Sequence, residues 1–526
     1  MEKALLQVGL AMLSLAPPFV AGAVARADEP PKMNTQVPQE ESASQRVVEQ
    51  PPTEIPRLEP PPPVAPPAAA VAPQPAANRA PSEPSTGVRP APAVEVEPLA
   101  PAPSTSAPAA PSTLTWNGIT LYGVIDVGIA HLSHGAPPSS TYGPSVPYIV
   151  QSYSNRAITT AAANGLGQSK LGLSGSEPLG TPKLKAVFKL ETGFQPISGR
   201  LTDGPRSLVD NNGRAASEKI TAGDSSRAGQ LLQGAAYVGL ASIAGTLTFG
   251  RQGSLMADDL MKYDPQLQAL AFSPIGYSGT SGGLGATEDK ILDQCAKYVL
   301  SLGPVRVAGL YQFGNSGYLP GGSESVDLGL EVAGLSLDFL WGRVHGAIVA
   351  ASLTAAQNAS APGTLAATVS DNTAYAAMVR YAMQRLKIYG GYQRMTYANP
   401  KDPLPSGTVT IGDCVLSNVN NTAYGIHKVL QYTWAGVRVS ITPSLDASAA
   451  YYYFRQNSYN ANGCSDDSAA SCSGSYHVAS LVADYKLPWY FDVYAGVNYS
   501  RAVDGMAAGF LNDHNWTTMA GLRFAF

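Results

Sequence analysis

The chain has 526 residues, a formal net charge of −4 and only 14% charged residues, with 52 Gly and 26 Tyr against 12 Phe. Near-neutrality without a basic block argues against a nucleic-acid partner. Beyond the N-terminal segment there is no apolar run of transmembrane length, so any membrane this chain enters must be entered as strands.

The N-terminus reads MEK, then the apolar ALLQVGLAMLSLA, then small residues ending in Ala23-Val24-Ala25 and Ala25-Arg26-Ala27. A charged start, a short apolar core and an A-x-A site predict a secretory signal peptide over 1–27. Residues 28–112 are a different polymer, Pro- and Ala-rich, with no aromatic residue between Phe19 and Trp116. Such a stretch cannot bury a core and is expected to be a disordered, partly polyproline-II periplasmic spacer. At about 3.1 Å per residue it could reach roughly 250 Å. It reads either as a passive tether or as an attachment to another envelope component.

From Leu114 onward the pattern is short alternating strands. In LTWNGITLYGVIDVGIAH, Ile119, Leu121, Ile125, Val127 and Ile129 share one side, and Thr120, Tyr122 and Asp126 share the other. In KLKAVFKLETGF, Leu184, Ala186, Phe188 and Leu190 oppose Lys183, Lys185, Lys189 and Glu191. Period two marks strands with one apolar and one polar face. Runs of this kind continue to the last residues, AGLRFAF, where Leu522, Phe524 and Phe526 fall on the apolar side. Together they make about sixteen strands.

The links between strands alternate in length. Glu177–Pro182, Ile243–Gly245, Gly303-Pro304, Gln384-Arg385, Thr442–Ser444 and Leu487–Trp489 are very short; 132–167, 195–234, 254–290, 347–371, 399–421 and 456–475 are long and polar. Short turns at one end and long loops at the other describe an up-and-down antiparallel barrel. Charged residues recur on the polar face, and so many strands enclose too wide a lumen for side chains to fill. The polar face should therefore line water and the apolar face meet lipid, with closure satisfying every backbone group. The fold class is all-β: a 16-stranded antiparallel transmembrane barrel over 113–526. Trp116, Trp341, Trp489, Trp516 and Tyr451–Tyr453 fit aromatic girdles.

Four Cys follow the signal segment, an even count in an exported chain. Cys464 and Cys472 close the short loop GCSDDSAASCSG and are the expected disulfide; Cys295 with Cys414 would be a long-range second pair. Two carboxylates there, Asp466 and Asp467, are too few for a calcium site. Gly279-Thr280-Ser281-Gly282-Gly283 matches G-x-S-x-G but lacks the strand before and helix after that a nucleophile elbow needs. Scattered His form no metal set. No catalytic residue, metal or cofactor is expected.

Residues 114–526 resemble the general porins of Gram-negative outer membranes, β-proteobacterial type. The likeness is carried by LYGVIDVGI, SKLGLSGSEPLGTPKLKAVFKLETGF, AAYVGLASIAGTLTFGRQ, KYVLSLGPVRVAGLYQFG and the final AGLRFAF. The resemblance implies a homotrimer of 16-stranded barrels with short periplasmic turns, long outer loops and a third loop folded into each pore. It implies passive diffusion of ions and small hydrophilic solutes across the cell outer membrane. It also implies that the terminal strand, Leu522, Phe524 and Phe526, is read by the barrel-assembly machinery. In the family, acids on the infolded loop face bases on the wall, and the transverse field between them tunes ion choice. Carried over, the loop acids would be Asp258, Asp259, Asp264, Glu288 and Asp289. The basic wall would be Lys170, Lys185, Lys189, Arg251 and Lys290.

Two departures stand out. Strict alternation in GTLTFGRQ places Arg251 with Leu247 and Phe249, toward lipid, so either the strand ends or a bulge reorients it; a bilayer-facing Arg costs roughly 2–4 kcal/mol at the midplane. The family's Arg ahead of an Asn-Asn-Ser strand start is missing from DKILDQCAKY, where Lys290 or Lys297 must substitute. Two other functions compete with the channel: a barrel enzyme, for which no catalytic constellation exists, and an envelope-tethering barrel using the Pro-rich arm.

Overall fold

The structure is a computed structural model, and it describes residues 114–134, 157–197, 199, 231–277, 290–314, 322–352, 365–405, 409–411, 414–464, 469–508 and 512–526. The signal segment, the Pro-rich stretch, Ser281, Glu288, Asp289, Asp466 and Asp467 lie outside the described residues, as does the Cys414 side chain.

Sixteen strands form the wall: β1 Ile119–Leu132, β2 in two segments (Ile158–Ala163 and Lys170–Thr181), β3 Leu184–Gly193, β4 Ala235–Ser242, β5 Gly245–Gly253, β6 Ile291–Leu302, β7 Val305–Gln312, β8 Ser323–Val332, β9 Leu335–Ser352, β10 Leu365–Met383, β11 Leu386–Ala398, β12 Lys428–Ser440, β13 Leu445–Gln456, β14 Gly474–Lys486, β15 Phe491–Asp504 and β16 His514–Ala525. Each pairs antiparallel with the next, and β1 pairs with β16 from Val124↔Ala525 to Leu132↔Thr517, so the sheet closes. A short strand, Thr115–Trp116, folds back on β1.

The barrel is apolar outside and polar inside. Outward residues such as Ile129, Val238, Leu240 and Phe339 are exposed, while inward Asp126, Lys170, Lys189, Glu191 and Asp327 are buried. This inversion of a soluble protein's pattern suits a wall with hydrocarbon on its outer side. Among the described residues no helix is long and apolar enough to cross a membrane.

The seam is tight. Gly123 N–H donates to the Phe526 carbonyl at 2.9 Å, and Phe526 N–H donates to the Gly123 carbonyl at 3.0 Å. A Cβ on Gly123 would lie 2.4 Å from the Phe526 ring, so glycine makes room for the aromatic to lie across β1. Phe524 packs on Phe491 (ring centroids 4.7 Å) and on Phe526 (5.4 Å), all on the outer face.

Some expectations need correction. The link expected over 347–371 is shorter, because β9 runs on to Ser352 and β10 begins at Leu365. The 399–421 loop carries a hairpin, Val409–Ile411 with Cys414–Asn420, and its second strand pairs parallel with β10. Tyr452 leaves the proposed outer girdle: it points inward and is fully buried, while Tyr451 is exposed. Nor is the inner face polar all round. Ala308, Leu310, Leu340, Ala376, Met378, Met395 and Trp434 form an apolar inner lining, because the loop after β5 covers them.

Candidate pore constriction

The loop after β5 starts with a helix, α1, Leu255–Tyr263. Ser254 caps it, its hydroxyl accepting from the Ala257 N–H at 3.1 Å, with Asp258 in the positively polarised first turn. Leu255, Met256 and Leu260 are buried against the apolar lining of β7–β11. Helix and lining each leave an apolar surface that water would oppose, and packing removes both.

Past α1 the loop is held by polar anchors along the wall. Trp434 Nε1 donates to the Tyr263 carbonyl (2.8 Å), and Arg438 Nη1 donates to the Pro265 carbonyl (3.2 Å), both from β12. Gln266 bonds Ser448 on β13 (2.7 Å) and Ser480 on β14 (3.0 Å). Phe272 meets Tyr494 on β15 edge-on. The Ala271 N–H then donates to the Gly165 carbonyl, inside the break between the two segments of β2. That break is fixed by Asp126, which accepts from the Tyr494 hydroxyl (2.6 Å) and from the Leu166 and Gly167 N–H groups. The loop therefore lies inside the barrel.

Asp264 ends α1 and braces the turn after it. Its carboxylate accepts from the Gln266 and Gln268 N–H groups (3.0 and 2.6 Å), the Ser273 hydroxyl (2.6 Å) and the Tyr452 hydroxyl (2.5 Å). Burial raises its pKa above the ordinary carboxylate range, against these donors. With no exposed surface, Asp264 is a brace rather than an acid facing the water path.

The other charges are mostly paired. Asp258 meets Lys297 at 2.8 Å. Asp259 meets Lys262 and Arg306, each at 2.6 Å. Arg306 also meets Asp327 (2.7 Å) and Asp338 (3.1 Å), so its guanidinium fills the space among three carboxylates that could otherwise gather a cation. On the wall, Lys170 and Lys189 share Glu191 at 3.2 and 3.3 Å, and the Tyr122 hydroxyl donates to the same carboxylate. Lys185 lies on the inward face of β3 near the short-turn end.

Arg251 turns inward through a bulge. Gly250 pairs with Cys295 and Gln252 with Leu292, leaving Arg251 without a ladder partner on β6. Gly250 takes φ +127°, and a Cβ there would sit 2.3 Å from the Ala236 carbonyl, so only glycine serves. Arg251 then donates from Nε to the Gln233 carbonyl (2.8 Å) and pairs through Nη1 with Asp293 (2.5 Å). Lys290 closes the base of the loop, its carbonyl accepting from the Ser254 N–H at 3.0 Å. It is half-buried, and that desolvation, reinforced by the Lys170 ammonium, lowers its pKa to about 8.

Sequence reasoning missed Arg306, Asp293, Asp327 and Asp338. Alternation alone places Arg306 and Asp327 on polar faces, but which wall the loop would meet has no local signature. The structure joins Cys464 to Cys472 by a disulfide, Cα atoms 5.5 Å apart. The buried Cys295 thiol lies against the Gly250 carbonyl.

A closed barrel with a lipid-compatible exterior, a charged interior and a loop folded across it defines a membrane channel. A family model for the Gram-negative porins matches residues 99–505, and the chain belongs to that family. No curated protein sequence matches it. Among solved structures it is similar to the anion-selective porin from Comamonas acidovorans, with 16% identity, TM-score 0.52, and coverage of 78% of this chain and 99% of that one. It is also similar to OmpT of Vibrio cholerae in its trimer form (15%, TM-score 0.49, coverage 78% and 99%) and to the outer membrane channel DcaP of Acinetobacter baumannii (13%, TM-score 0.43, coverage 78% and 97%).

Proposed function

We infer that this protein is an outer-membrane porin, a water-filled channel through which ions and small hydrophilic solutes diffuse passively. The observation that carries the reading is the closed barrel itself, joined at Val124↔Ala525 through Leu132↔Thr517, with charge inside and apolar residues outside. The loop after β5 sets the narrowest passage, with Asp258 on the loop side, joined in sequence by Glu288 and Asp289, while the fully buried Asp259 is taken up by Arg306 and Lys262. Lys170, Lys185, Lys189, Arg251 and Lys290 supply the opposing wall. The protein does no chemistry and needs no cofactor.

Three finer readings go with it. The barrel works as a homotrimer. The strand bearing Leu522, Phe524 and Phe526 is what the barrel-assembly machinery reads. Residues 1–27 are removed on export, and 28–112 form a periplasmic arm.

The test is planar-bilayer conductance of the full-length protein, with the reversal potential under a salt gradient. Discrete conductance steps, grouped in threes for a trimer, are expected. A folded, membrane-inserted barrel that passes no current would overturn the reading. Removing residues 30–110 should leave conductance unchanged; an envelope-tethering role would instead show as lost envelope integrity in cells.

A further inference from the structure

Many lumenal cations are neutralised at short range: Lys170 and Lys189 by Glu191, Arg251 by Asp293, Lys297 by Asp258 and Arg306 by three aspartates. Arg523 is likewise held by Asp492 and Asp484. On β10–β12 the pattern reverses. Lys387 on β11 stands directly opposite Arg438 on β12 in the ladder. Arg380 on β10 pairs with Tyr389, two residues along β11 from Lys387 and therefore on its diagonal. All three occupy inward positions. Directly opposed side chains have Cβ atoms about 5 Å apart and diagonal ones about 7–8 Å, and opposed like charges destabilise a sheet.

The nearby acids offset this charge only in part. Glu331 pairs with Arg380 at 3.5 Å, but with its side chain 70% exposed water screens the pair. Asp446 is taken up by Lys486 (2.8 Å) and the Ser440 hydroxyl (2.7 Å). Both arginines are oriented, Arg438 by the Pro265 carbonyl and Arg380 by the Ser336 hydroxyl (3.0 Å). Lys387 is exposed and has no hydrogen-bond or ion-pair partner among the described residues. The position is set by the loop: Pro265 covers Gly436, and Arg438 lies two residues further along β12 toward the short turn. The patch thus lies just beyond the constriction, on the side of the short turns.

Resting on the porin reading, we propose that Lys387, flanked by Arg438 and Arg380, forms a lumenal subsite for small multivalent oxyanions on the periplasmic side of the folded-in loop. Two oriented guanidiniums beside an exposed ammonium suit phosphate-type oxygens, since the guanidiniums offer their remaining N–H groups in fixed planes and the ammonium acts as a point charge. A permeating anion would pause there after passing the loop, its charge offsetting the repulsion among the three cations while it is bound.

The test is chloride current through the full-length channel in planar bilayers while inorganic pyrophosphate is added. Wild type should show concentration-dependent block. Lys387→Gln should raise the half-blocking concentration about tenfold, the scale of losing one nearby charge in a partly screened site. Lys387→Arg should restore it to within about twofold. Arg394→Gln, the same charge change on the outward face of the same strand, should leave the block as in wild type. A conducting wild type that pyrophosphate does not block, or equal block in wild type and Lys387→Gln, overturns the subsite and leaves the porin standing. An inserted barrel without current overturns the porin reading instead.

Discussion

Lys290 carries a charge that disappears close to neutrality. Its amine titrates at about 8 in the folded protein, while the unfolded chain holds that proton to roughly 10.4. With Lys290 on the proposed basic wall, the channel carries this charge below about pH 8 and loses it above. Raising the pH from 7 to 9 should move the reversal potential toward cation preference, and Lys290→Gln should remove that step; an identical step in the variant would assign it to another group. Linkage has a matching sign: between about pH 8 and 10.4 the unfolded chain binds more protons, so stability gained from this site rises with pH over that window. At this scale the sequence was informative where the chemistry is local. Arg251 could be seen to break alternation, and the cost of a lipid-facing guanidinium pointed to a bulge. Arg306 could not be singled out, because its role depends on Asp259, Asp327 and Asp338 arriving from three other elements.

The decisive element is α1. Leu255, Met256 and Leu260 anchor it to the inner wall, and the Asp264 brace holds the turn at its C-terminal end. Truncating a fully buried leucine costs about 2–5 kcal/mol. Leu260→Ala should loosen the loop without opening the barrel, giving noisier current and earlier proteolysis within 254–290 while the heat-denaturation midpoint of the barrel stays near wild type. Quiet current and an intact loop in Leu260→Ala would show that the polar anchors alone suffice. The strands themselves were legible, since alternation survives wherever one face meets lipid. Where α1 covers the wall it fails: TAYAAMV, ahead of Arg380, is apolar on both faces, because its inner side also meets protein. The loop could be located from its length and its place after Gly-Arg-Gln. Its helix was hidden in LMADDLMKY, where helical periodicity spans only a few turns.

For the whole molecule, closure rests on one seam. Gly123→Val would drive a branched side chain into the Phe526 ring, a change of the overpacking kind that costs about 1–3 kcal/mol. The unfolding midpoint of the folded barrel should fall, and restoring it with Phe526→Ala in the same chain would locate the effect at the seam. An unchanged midpoint would mean that the ring simply moves aside. The architecture was readable because strand count, turn asymmetry and terminal alternation all point to a closed barrel. The inner apolar lining was not, since it exists only once the loop lies inside. That dependence also sets an order of events during assembly. The loop's anchors sit on β7 through β15, all later in the chain than the loop itself, and its far contact is the break in β2. It cannot seat until those strands have emerged, and once β1 meets β16 it would have to pass a finished rim. A chain that closed its seam with the loop outside would be left as a wide, unfiltered hole, and the timing of loop insertion would then decide how leaky the membrane becomes.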